Sequence, residues 1–226
     1  MATDSLHLSA DSDQATGVLT GKYLPNDFTQ VGLVFALIMI AVWTPQGNLS
    51  LAVTLSAALA VVAVGLLGGL SARTMGLTRP ASGVIAILIA GTVAVLAILT
   101  IALFSRNFGP PEAFPWHKAW QYVIWSLVQE FILQSVFYVR LESILGSRRA
   151  ILAAASLFAI AHLPSPLLTV LSFLGGLLFC EMFRRYRNLY PLGLVHGALG
   201  LTIAASLPDS VLHHMRVGIG YLHFHG

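Results

Sequence analysis

Apolar residues run through this chain in blocks long enough to cross a bilayer, and the polar residues gather between them. Phe28 to Trp43 is the first block, closed by the turn-like Pro45-Gln46-Gly47-Asn48. Leu49 to Leu70 and Ala81 to Phe104 follow. Each exceeds the roughly 20 residues that a hydrocarbon core of about 30 Å demands at about 1.5 Å per residue. A linker from Arg106 to Pro115, with Gly109-Pro110-Pro111, separates these from Trp116 to Arg140, where Trp116 and Trp120 stand as interfacial anchors. Ala150 to Phe183 would measure about 51 Å as one helix, too long for a single crossing. Leu163-Pro164-Ser165-Pro166 breaks it into pieces of roughly 14 and 17 residues, so the break is expected within the membrane thickness. Leu189 to Leu207 is the last block.

The pattern predicts an all-α, polytopic membrane protein of about seven spans. Residues 1–27 form a flexible cytoplasmic head, 28–115 the amino-terminal transmembrane helices, 116–207 the core that carries the chemistry, and 208–226 an extracytoplasmic tail.

One block breaks its own apolar rule. Stepping by four from Tyr122 gives Ser126, Glu130, Gln134, Tyr138 and Glu142, a slowly turning polar stripe with Val128, Phe131, Ile132 and Val139 opposite. No basic residue is nearer to Glu130 than Lys118 or Arg140. An ionised carboxylate at that depth costs on the order of several kcal/mol unless it faces a polar cavity. Glu130 lies about 15 Å from the cytoplasmic end of its helix, His162 about 18 Å and His196 about 10 Å. A carboxylate and two imidazoles from three spans thus fall in one layer. The bland alternative is a polar contact joining two helices.

Composition sharpens the class. Hydrophobic residues make up 57% and charged residues only 9%, with a mean hydropathy of +0.82, which excludes an ordinary soluble domain. The net charge of +3 comes from few groups, most of them arginines in short loops, so a nucleic-acid surface is not indicated. Placing Arg73 and Arg79, then Arg148 and Arg149, then Arg184, Arg185 and Arg187 on the cytoplasmic side satisfies all three loops, with Arg140 joining them. The amino terminus is then cytoplasmic. With Cys180 alone, neither an internal disulfide nor a cysteine metal cluster can form. No basic region precedes an apolar stretch at the start, so no cleavable signal peptide is expected. Glu181 stands one turn from Arg184 and Arg185 and reads as a rim ion pair. Gly65 with Gly69, and Gly193 with Gly197, read as close-packing positions. His117 reads as interfacial, and the tail histidines read as solvated.

The trio Glu130, His162 and His196 has three chemical readings. A carboxylate with a histidine can deprotonate water while a second histidine steadies an oxyanion. The same residues could be a glutamate and two histidines on zinc, or a proton or cation relay in a transporter. Neither a Gly-x-Ser-x-Gly elbow nor a His-Glu-x-x-His helix is present.

The order QEFILQ (Gln129–Gln134), FAIAH (Phe158–His162) and HGALG (His196–Gly200), each on its own span, resembles the CPBP family of intramembrane proteases. That family includes the CAAX prenyl proteases and bacterial proteins linked to bacteriocin processing and immunity. Its signature is Glu-Glu-x-x-x-Arg, then Phe-x-x-x-His, then His-x-x-x-Asn or a small or polar variant. The resemblance covers roughly Trp116 to Leu207. Here the first glutamate falls on Gln129, the arginine on Gln134 and the asparagine on Gly200, whereas Glu130, Phe158, His162 and His196 match. The resemblance implies an endopeptidase acting on a membrane-associated peptide or protein, in a bacterial inner membrane and without a cofactor. Glu130 and His162 would activate water, His196 would serve the oxyanion, and Gln129 and Gln134 would position them. The departures leave a catalytically inactive adaptor or immunity protein on the same scaffold as the alternative.

Overall fold

The structure, a computed structural model, describes residues 26–105 and 119–223. The expectations for the head, the Arg106–Pro115 linker, Trp116, His117 and the last tail residues lie outside them. Helices account for all the regular structure among the described residues. They are α1 (Asp27–Trp43), α2 (Asn48–Leu67), α3 (Val84–Ser105), α4 (Ala119–Glu130), a π-helical stretch (Phe131–Tyr138), α5 (Val139–Leu145), α6 (Ser147–Ile160), α7 (Pro166–Tyr186) and α8 (Leu189–Ser206). A short α9 (Asp209–Leu212), a 3₁₀ turn (His213–Met215) and α10 (Ile219–Leu222) follow.

Five of these rods are long and apolar enough to cross a membrane: Asn48–Leu67, Val84–Phe104, Ala119–Leu145, Pro166–Tyr186 and Leu189–Ser206. The expected seven therefore resolve into five full-length rods and two shorter ones. α1 has 17 residues and α6 has 14, about 26 and 21 Å at 1.5 Å per residue, short of a core of about 30 Å.

Local chemistry sets the ends. Asn26 caps α1, its Oδ1 accepting from Thr29 N at 2.9 Å. α2 stops at Leu67, short of the expected Leu70, because Gly68 and Gly69 follow and Gly69 takes a φ of +74°. Gly69 is thus outside the helix, and Gly65 alone makes the close approach, with the Phe131 ring against it. Pro166 opens α7 at its first turn, after a break that lies where the proline pair predicts it. The tail folds back over this break: Gly218 N donates to Leu163 O at 2.7 Å, while Leu212 packs with Leu168 and Ile203.

Everything is arranged around the π stretch. Leu133, Val136, Phe137 and Tyr138 on it are buried and share one core with Val34, Val61, Ala154, Phe179, Phe183 and Leu192. Each π turn holds more residues than the 3.6 of an α-helix. It therefore turns the polar stripe, so that Gln134 bonds Glu130 while Tyr138 bonds Glu142. α8 lies flush against α4, because a Cβ at Gly193 would come within 3.0 Å of the Leu127 backbone. A Cβ at Gly197 would lie 3.4 Å from that of Val123.

Arg140 departs from expectation. It is completely buried and does not reach a cytoplasmic surface. Its Nε donates to Gln30 Oε1 at 2.7 Å, Nη1 to Ser135 O at 2.7 Å and Nη2 to Val64 O at 2.8 Å. One guanidinium therefore ties α1, α2 and the π stretch together, in space that Gly68 leaves open. Lysine cannot reproduce that planar fork. Arg140→Lys should lose at least one of these three charge-assisted bonds, at a cost of about 1.5–3 kcal/mol each. The check is a lowered thermal midpoint of the detergent-purified protein, with Arg148→Lys as an exposed control.

Candidate active site

Glu130 ends the regular part of α4 and is fully enclosed. An enclosed carboxylate needs partners for both oxygens, and it has them. Oε1 lies 2.9 Å from His196 Nδ1, and Oε2 accepts from Gln134 Nε2 at 3.0 Å. The His196 side chain keeps 13% of its surface exposed, against none for Glu130, so the imidazole is the open end of the pair.

Aromatic rings hold both imidazoles. The His196 ring is stacked on Phe179 at 5.5 Å between centroids and meets Phe158 edge-on at 5.9 Å. Phe158 also meets the His162 ring edge-on at 4.8 Å. Phe158 thus touches both histidine rings. It acts a second time through its carbonyl, which lies 2.7 Å from His162 Nδ1. A carbonyl can only accept, so Nδ1 is the donor, and the neutral ring then keeps its lone pair on Nε2.

The structure brings Glu130, Gln134, Phe158 and His196 into direct contact and adds His162 through Phe158. Gln129 is half-buried and makes no side-chain hydrogen bond among the described residues. Gly200 is buried for a specific reason: a Cβ there would lie 2.1 Å from the Tyr122 hydroxyl. That phenol occupies the place next to α8, one turn from His196. Among the described residues, no group of three or more His, Cys, Asp or Glu is placed to hold a metal ion.

Phe179 and Cys180 are not singled out by the sequence pattern. Both lie on the buried stripe Gly176, Phe179, Cys180 and Phe183, whose helical spacing marks the inward face of α7. Glu181, by contrast, behaves as its spacing predicts, pairing with Arg184 at 2.8 Å and with Arg185 at 2.6 Å on the rim.

Residues 110–202 match the model of a family described as type II CAAX prenyl endopeptidase Rce1-like. No curated protein and no solved structure matches the chain. The matched segment holds Glu130, Phe158, His162, His196 and Gly200, and its Rce1-like character is consistent with the CPBP resemblance of the same stretch. The match covers less than half of the chain, and it falls on the stretch where three of the five long apolar helices lie.

The tautomer assignment is directly measurable. ¹⁵N spectra of histidine-labelled protein should show His162 as the neutral Nδ1–H form near neutral pH. An Nε2–H signal at His162 would mean that the Phe158 carbonyl does not hold the ring.

Proposed function

We propose that the chain hydrolyses a peptide bond of a membrane-associated peptide or protein, using water activated by the Glu130–His196 pair. The hydrogen bond between Glu130 Oε1 and His196 Nδ1 carries this reading. The resemblance hands the water to Glu130 and His162 and the oxyanion to His196. The enclosure of Glu130 favours a relay instead. An Nδ1–H donated to a carboxylate leaves Nε2 basic. Nε2 takes a proton from water as the water oxygen attacks the peptide carbonyl carbon. The carboxylate stabilises the imidazolium that forms, as in a Ser-His-Asp triad. The imidazolium then protonates the leaving amine as the C–N bond breaks. His162 Nε2 accepts a hydrogen bond from the same water and orients it. The Tyr122 hydroxyl, beside Gly200, is the donor offered to the oxyanion where the resemblance implies an asparagine.

Glu130→Gln should lower turnover by about 10²–10⁴-fold with the protein still folded, and His196→Ala by a similar factor. The double variant should cost far less than the product of the two, because both act on one proton transfer. The rival is a non-catalytic adaptor or immunity protein, favoured by Gln129, Gln134 and Gly200 and by a Glu130 whose oxygens are both satisfied within the protein. Full biological function in Glu130→Gln, with no proteolysis by either version, would decide for the adaptor.

The mechanism is proposed without a metal, on the donor arrangement: His196 and Gln134 already take both Glu130 oxygens. A chelator should therefore leave turnover unchanged. Loss of activity that Zn²⁺ restores would reassign the three residues as ligands.

The proposed orientation is an inner membrane of bacterial type, with the amino terminus and the arginine loops cytoplasmic. The loops do meet at one end of the bundle, where Leu189 N donates to Gly76 O at 3.1 Å and Asn188 Nδ2 to Pro80 O and Ser82 O at 2.8 Å. Thr78→Cys and Arg148→Cys place thiols at exposed positions there, while Cys180 is buried. Both should resist a membrane-impermeant thiol reagent in intact cells and react once the inner face is opened. Labelling in intact cells would reverse the orientation.

A further inference from the structure

At the arginine-rich end, four side chains from two separate loops converge. Arg73, Thr74 and Arg79 from the α2–α3 connection and Arg187 from the end of α7 line one pocket of about 290 Å³. Arg73 and Arg79 are exposed, and among the described residues the only carboxylate joined to these arginines is Glu142, which Arg187 engages through Nη2. Glu142 is already shared with the Tyr138 hydroxyl at 2.7 Å and the Ser147 hydroxyl at 2.9 Å. Three guanidiniums against one shared carboxylate leave the pocket with an excess of positive charge.

Arg187 is also held in place at some conformational expense. It occupies the left-handed region, φ 46° and ψ 51°, at the C-terminus of α7, where glycine is the usual residue. Its guanidinium lies over the Phe183 ring at 5.3 Å and the Tyr138 ring at 5.5 Å. Fixed on both rings and on Glu142, it leaves Nη1 enclosed and without a protein partner. A strained residue whose charge is fixed beside two further arginines is arranged for an anion.

We infer that this pocket binds a phosphate group, with the phosphodiester of an anionic phospholipid as its source at the membrane surface. Guanidinium forks match phosphate oxygens in pairs. The pocket also sits at the ends of the spanning helices, the depth at which headgroups lie. It shares no residue with the Glu130–His196 pair, so it stands or fails independently of the proteolytic reading.

The test uses the whole chain purified in a nonionic detergent. It is titrated with short-chain phosphatidylglycerol, short-chain phosphatidylcholine, inorganic phosphate and a soluble peptide with a free C-terminal carboxylate, at fixed ionic strength, with the thermal midpoint as readout. Phosphatidylglycerol should bind about ten-fold more tightly than phosphatidylcholine, and Arg73→Gln/Arg79→Gln should remove that difference. Arg187→Gly, which relieves the left-handed backbone, should weaken phosphatidylglycerol as well and serves if the double variant does not fold. Saturation by inorganic phosphate, lost in the same variants, would keep the phosphate site and make its source the solution. Equal response to the two lipids, unchanged phosphatidylglycerol binding in both variants, or binding of the peptide alone would overturn the assignment.

Discussion

A carboxylate with no access to water must find its hydrogen-bond partners inside the protein, and the enclosure of Glu130 sets that demand for the whole bundle. One oxygen requires Gln134, one turn further along the same span. The other requires His196, on a helix that comes close enough only because Gly193 and Gly197 face α4 without side chains. Phe158 and Phe179 then close around the imidazole, and their own helices are drawn in with them. A substitution at a small residue far along α8 is thereby felt at the carboxylate.

The polar stripe on the fourth block serves two distinct assemblies. Its upper members Tyr122 and Glu130 meet α8 at Gly200 and His196. Its lower members, Tyr138 and Glu142, are taken up by Ser147 and Arg187. Between them, the Arg140 guanidinium holds the π stretch against α1 and α2. The site is thus built on a segment braced from both sides, which suits a hydrogen-bonded pair whose geometry must stay fixed while a proton moves.

How far the sequence discloses this depends on what each signal encodes. Depth is legible: a charge in the middle of an apolar block is rare, so Glu130, His162 and His196 stand out together. Azimuth is not. Which histidine faces Glu130 is decided by the rotation of α8 and by the wide turns after residue 130, and neither leaves a periodic trace. Arg140 illustrates the limit. A basic residue near a helix end reads as surface-seeking, and its true partners, Gln30 and the Val64 carbonyl, sit on other helices with nothing local to announce them. The proline break and the Glu181 ion pairs were readable because each is specified within a few residues.

The wide turns also have a consequence for counting. A residue in an α-helix advances the side-chain direction by about 100°, so a helix that accommodates extra residues per turn delivers everything beyond it at a different bearing. A protein that built this span as plain α-helix could direct a carboxylate toward α8 and a guanidinium toward α1 only with a different number of residues between them. The separation of Glu130 from Arg140 in the chain is therefore itself a structural quantity, and a single deletion between them would turn one group away from its partners while leaving every residue type in place.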